Sequence, residues 1–156
     1  MSQPSVGSNA PDFSLPDDRG SMTALSDYKG QIVVLYFYPK DDTSGCTREA
    51  IDFTELLSEF KAIDAVVIGV SPDSVSKHEK FKDKHDLGVT LIADEERQAI
   101  EAYGVWVEKN MYGKKYMGVE RATFLINREG KLAQIWRKVK VAGHADAVLT
   151  EARGLT

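Results

Sequence analysis

Residues 31–39 read QIVVLYFYP, a run that is almost wholly apolar and rich in β-branched and aromatic side chains up to its closing proline. A strand with one wet face alternates apolar and polar residues. A strand with no such alternation must be covered on both faces, so this run predicts the centre of a sheet with a layer above and a layer below. AVVIGVSPD (65–73) reads the same way and ends in a turn signal, and GVTLIAD (88–94) supplies another strand. RATFLINREGKLAQIWRKV (121–139) holds two strand patterns parted by the polar turn Asn127–Gly130, which predicts a hairpin.

Helical patterns fill the gaps between strands. In 46–60, Ala50, Phe53, Leu57 and Phe60 recur at spacings of three and four with Leu56 beside them, giving one apolar face. The segment 74–86 follows serine and aspartate that can cap it; 95–103 is short and charged; 143–153 reads as a terminal helix. Alternating strands and helices predict an α/β fold with a mixed central sheet flanked by helices. Crossovers make parallel pairs and the late hairpin an antiparallel one.

The chain's 156 residues suit a single domain spanning 1–156, and no repeat or linker divides it. A net charge of −4 argues against nucleic-acid binding, which needs a basic face. No apolar run approaches the ~20 residues of a membrane span, and the start lacks the basic-then-apolar pattern of a signal peptide. The single cysteine, Cys46, rules out an intrachain disulfide and fits a reducing, cytoplasmic setting. One cysteine and three scattered histidines form no metal-binding motif.

Cys46 has a distinctive address. Pro39 blocks continuation of the central strand, KDDTSG turns the chain, and a helix begins near Cys46. The thiol is thus expected in a first helical turn, beyond the carboxyl end of a central strand, where open α/β sheets bind ligands. Unpaired amides and the helix dipole favour an anion there, and a helix N-terminus or a nearby cation favours thiolate. Gly45 permits close backbone approach, and the Thr43 hydroxyl can donate and accept. Position alone leaves two readings of equal weight, a reactive thiol and a small buried hydrophobe.

Pro39, Thr43 and Cys46 form P-x-x-x-T-x-x-C, with Glu49 three residues on. This resembles the active-site signature of the peroxiredoxins. YGVWVEKNMYGKKYMGVERATFLIN (103–127) and WRKVKVAGHADAVL (136–149) are similar to the peroxiredoxin Q, or bacterioferritin comigratory protein, subfamily, and the likeness begins at VGSNAPDFSLPDDRG (6–20). The resemblance implies a thioredoxin-like fold with an N-terminal extension. It also implies an antioxidant, thiol-dependent reduction of hydrogen peroxide and organic hydroperoxides that uses no cofactor. Cys46 would be the peroxidatic nucleophile, and Thr43 would hold thiolate and peroxide. Pro39 would shield the pocket, while the amides of Gly45 and Cys46 meet peroxide oxygen. Arg121, in ERATFLI, would stand beside the sulfur, oriented by Glu49, with Arg137 as a further partner.

The chain departs from that pattern in two ways. Many such proteins carry a resolving cysteine five residues after the nucleophile, where this chain has Ile51, or on the next helix, near Phe81 and Lys82. The likeness is therefore to a one-cysteine form, a monomer or weak homodimer, reduced by an external thiol such as thioredoxin, glutaredoxin or glutathione. Ser44 also replaces a proline common in the family's T-P-G-C stretch. His78 and His85 fall in a charged helical pattern and are expected to face solvent, and His144 to start a helix. A thiol–disulfide oxidoreductase normally requires C-x-x-C, and this helix opens S-G-C-T. A peroxide-sensing switch or chaperone-like module would use the same reactive thiol, and is the alternative reading.

Overall fold

The computed structural model describes residues 4–156. In chain order the elements are β1 (Ser14–Pro16), β2 (Met22–Ala24), a 3₁₀ turn (Leu25–Tyr28), β3 (Ile32–Phe37), α1 (Ser44–Glu55), α2 (Leu57–Ala62) and β4 (Ala65–Ser71). There follow α3 (Val75–His85), β5 (Thr90–Ala93), α4 (Gln98–Ala102), β6 (Trp106–Met111), β7 (Lys114–Val119), β8 (Ala122–Ile126), β9 (Leu132–Trp136) and α5 (His144–Arg153). The main sheet runs β5-β4-β3-β8-β9, with β3–β4 and β4–β5 parallel and β3–β8 and β8–β9 antiparallel. This is the thioredoxin-like arrangement of a mixed sheet between helices.

Strand β3 is buried along its whole length, and its alternate residues enter different cores. Ile32, Val34 and Tyr36 pack with Phe53 of α1, Phe60 of α2, Phe81 of α3 and Val148 of α5. Val33, Leu35 and Phe37 pack on the other side with Phe13 of the N-terminal extension, Ile100 of α4 and Tyr103. The period of two therefore separates two cores rather than a wet face from a dry one, which is why β3 shows no polar alternation. Tyr36 lies directly over its register partner Gly69, where a Cβ would stand 2.7 Å from the Tyr36 Cζ. The small residue there makes room for a ring in the middle of the sheet.

The expected helix over 46–60 is two helices. It starts earlier, at Ser44, and breaks at Leu56, whose backbone (φ −99°, ψ 3°) closes α1 and opens α2. The Leu56 amide turns to the Phe53 carbonyl at 3.1 Å, a tightened final turn. The break leaves both Phe53 and Phe60 fully buried, with ring centroids 6.1 Å apart. Two small hairpins have no counterpart in the strand patterns of the sequence. One is β1–β2 in the extension; the other is β6–β7, whose tip residues Tyr112 and Gly113 both have positive φ. Such a two-residue turn twists with its strands. No helix among the described residues is long and apolar enough to cross a membrane.

Candidate active site

The site is built where β3 stops. The Tyr38 amide still donates to the Val70 carbonyl at 3.1 Å, so the parallel ladder runs one residue past the strand. Pro39, half-buried, has no amide to continue it, and the chain leaves the sheet. Asp42 takes a left-handed turn (φ 60°), and α1 begins at Ser44 with Thr43 as its N-cap residue. The Thr43 side chain does not cap the helix; its hydroxyl donates to the Lys40 carbonyl at 2.9 Å. That bond uses the hydroxyl proton and leaves oxygen lone pairs free to accept. The amides at the start of the first turn have no carbonyl four residues earlier within the helix to receive them.

Cys46 lies in this turn and is 1% exposed. Arg121 arrives from the neighbouring strand of the same sheet. Antiparallel register pairs Phe37 with Ala122, so Arg121, one residue before β8, stands at the sheet edge where α1 starts. Its Nη2 donates to Cys46 Sγ at 3.3 Å and its Nη1 to Glu49 Oε1 at 2.7 Å. Gly45 makes the approach possible: a Cβ there would stand 3.1 Å from Arg121 Nη2. The five residues Thr43, Gly45, Cys46, Glu49 and Arg121, expected from the sequence to act together, thus converge on one helix start, with Pro39 at its entrance.

The electrostatics of this cluster are unusual. Glu49 is one turn after Cys46, 1% exposed, and its Oε2 has no hydrogen-bond partner among the described residues. Burial pushes its carboxyl up to about 7, against the opposing pull of Arg121. Desolvation thus outweighs the ion pair, as happens when a buried carboxylate is only half satisfied. Burial alone would lower the Arg121 guanidinium, but Glu49 and Cys46 hold it above its ordinary range. The buried Tyr36 hydroxyl, also without a partner among the described residues, is raised well above the phenol range by burial first and by the fields of Glu49 and Cys46 next.

Other residues fall differently from expectation. Arg137 does not reach the thiol. Its Nε bonds Glu120 Oε2 at 3.0 Å and its Nη2 the Gly104 carbonyl at 2.7 Å, so it braces the residue before Arg121. His78, expected to face solvent, is fully buried, with Nδ1 2.6 Å from Asp41 Oδ2. His85 is half-buried and bonds Asp42 Oδ1 at 2.8 Å. Charged neighbours along α3 hide the inward stripe in the sequence. His144 does open α5, but it is buried and pairs with Thr123 Oγ1 at 2.7 Å. Burial and then Arg121 lower its pKa to about 4, so the imidazole is neutral. Lys109, on the unforeseen hairpin, feels the same centre: burial first and Arg121 second hold its ammonium below the ordinary lysine range. No spacing rule links it to Cys46.

The AhpC/TSA family model matches residues 6–135. A curated relative, peroxiredoxin Bcp of Bacillus subtilis (strain 168), is 55% identical over 146 residues, covering 93% of this chain and 93% of its own. A solved structure of the Xanthomonas campestris bacterioferritin comigratory protein, described in terms of its alkyl peroxide reduction activity, matches with a TM-score of 0.87. It is 46% identical over 91% of this chain and 90% of that one. A mutant of Xylella fastidiosa PrxQ matches with a TM-score of 0.93 and 38% identity, over 99% and 98% of the two chains.

Proposed function

The chain belongs to the AhpC/TSA family, and from that premise we propose that it is a thiol-dependent peroxidase working through Cys46. The observation that carries the residue assignment is the forked guanidinium of Arg121, bonded at once to Cys46 Sγ (3.3 Å) and Glu49 Oε1 (2.7 Å). A permanently charged, planar donor set fixed beside a buried sulfur stabilises thiolate and presents further N–H groups to a second anion.

In the first half-reaction the Cys46 thiolate attacks the terminal oxygen of a hydroperoxide. The S–O bond forms as the O–O bond breaks, sulfur is oxidised to sulfenic acid, and the leaving oxygen takes a proton to depart as water or alcohol. Thr43, whose hydroxyl hydrogen is engaged in the bond to the Lys40 carbonyl, accepts from the peroxide O–H. The first-turn amides of Gly45 and Cys46, together with Arg121, stabilise the negative charge as it moves onto the leaving oxygen. Pro39 holds the loop and limits water. In the second half-reaction an external thiol attacks the sulfenic sulfur, releasing water and forming a mixed disulfide, and a second thiol frees Cys46. Ile51 and Lys82 supply no internal resolver. Thioredoxin, glutaredoxin and glutathione are the candidate reductants, and such a cycle suits a reducing compartment such as the cytoplasm.

Steady-state consumption of hydrogen peroxide with each reductant in turn tests this reading. The wild type is expected to turn over with at least one of them and Cys46→Ser with none. Undiminished turnover by the serine variant would refute it.

A further inference from the structure

Beneath the active-site loop lies a buried polar network that the peroxidase chemistry does not use directly. The Tyr38 hydroxyl donates to Asp41 Oδ1 at 2.6 Å, and Asp41 Oδ2 lies 2.6 Å from His78 Nδ1. His78 Nε2 is 2.9 Å from the Ile92 carbonyl. A carbonyl only accepts, so Nε2 carries a hydrogen, and Nδ1 is the ring nitrogen that faces the Asp41 carboxyl. The Asp41 amide donates to Asp73 Oδ2 at 2.8 Å, and the same oxygen accepts from Ser71 Oγ at 2.7 Å. Tyr38, Asp41, Ser71, Asp73 and His78 are all buried. A buried network of several linked hydrogen bonds is rigid, and costly to open part-way.

Its position gives the network leverage. Asp41 is in the middle of the loop between Pro39 and Thr43, and its bonds tie that loop to α3. A surface tie lies alongside, where Asp42 accepts from Lys84 Nζ at 2.7 Å and pairs with His85 Nε2 at 2.8 Å. The loop passes this fixation forward, because Thr43 is held by the carbonyl of Lys40, the residue before Asp41. Cys46 is 1% exposed, so a thiol larger than a peroxide cannot reach its sulfur while this loop and the first turn of α1 stay closed.

We infer that Asp41 and His78 are positioning residues that hold the 39–43 loop, and through it Thr43 and the start of α1, in the geometry that reacts with peroxide. The same clasp restrains the opening that the external thiol requires. This rests on the peroxidase reading above. Loosening the clasp therefore moves the two half-reactions in opposite directions, whereas general damage to the fold would slow both.

The test separates the steps in the full chain. Oxidation is followed by rapid-quench intact mass after hydrogen peroxide, and the pre-oxidised protein is then mixed with glutathione to time the mixed disulfide. Asp41→Ala is expected to oxidise about tenfold more slowly and to react with glutathione about tenfold faster. Asp41→Asn should stay near wild type in both steps. Its amide oxygen accepts from Tyr38 and its NH₂ donates to Nδ1 of a neutral His78. If Asp41→Ala does not fold, His78→Gln decides by the same split, since its amide can still donate to the Ile92 carbonyl while the bond to Asp41 is lost. Unchanged rates, or equal slowing of both steps, would overturn the inference. A wild type that gains no oxygen from peroxide would instead refute the peroxidase reading on which it rests.

Discussion

Arg121 lies so close over Gly45 that a Cβ there would stand 3.1 Å from its Nη2, the atom that bonds the Cys46 sulfur. Gly45 is inside α1, where alanine is the better helix former by up to about 1 kcal/mol. Gly45→Ala should therefore change stability little, the helix gain being offset by strain on the Arg121–Glu49 pair, while displacing the guanidinium and slowing oxidation by hydrogen peroxide several-fold. Thermal unfolding beside single-turnover oxidation checks this, and a fully active alanine variant would show that the guanidinium yields without cost.

Arg121→Ala removes the only side-chain donor recorded on the sulfur among the described residues and leaves Glu49 buried without its partner. Oxidation should slow by roughly a hundredfold, the usual loss for one donor to developing charge. Arg121→Lys should recover only part of that rate, because an ammonium cannot serve Sγ and Oε1 with a planar fork. Single-turnover rates for the two variants measure this.

Glu49 gives the protein a pH signature. Its folded value of about 7 lies above its ordinary 4.5 because burial disfavours the carboxylate. The folded state then binds more protons than the unfolded state, so this contribution is fully present below pH 4.5 and is lost as pH rises through 7. The loss approaches about 3 kcal/mol. Glu49→Gln keeps an acceptor for Arg121 without the ionisation. It should gain on the wild type in denaturant stability as pH rises towards 8, and should lose any inflection near 7 in the oxidation rate.

His144 acts in the opposite sense. Its value of about 4 lies below the ordinary 6.5, because burial and the Arg121 charge disfavour imidazolium. The stability it contributes is present above pH 6.5 and is lost as pH falls through 4. His144→Gln, whose amide can keep the bond to Thr123, should unfold less readily in acid. Melting temperatures of the two proteins between pH 7 and 4 test the point.

The sequence made the central sheet legible because β3 and β4 are buried on both faces, and unbroken apolar runs announce themselves. The β6–β7 hairpin was not legible: Glu108, Asn110, Met111 and most of β7 are exposed, so no buried alternation marks them. The burial of His78 is not legible because most of α3 around it is charged, and two inward residues, His78 and Phe81, leave too short a period. The address of Cys46 was readable from Pro39 and the turn that follows. Its partner was not, since Arg121 is 75 residues away and reaches the sulfur only through the β3–β8 register. The family motif supplied that pairing where local spacing could not. The Tyr38–Asp41–His78 network had no such motif and emerged only from the packing of α3 against the loop.

The most direct measurement is intact mass after mixing the wild-type protein with one equivalent of hydrogen peroxide and no reductant, quenched over time. With no second thiol in the chain to trap the product, the protein should gain one oxygen on the peptide containing Cys46 much faster than a free thiol would, and then lose it to added thiol through a mixed disulfide. Peroxide consumption without any oxygen gained at Cys46, or oxidation no faster than that of a free thiol, would contradict the account.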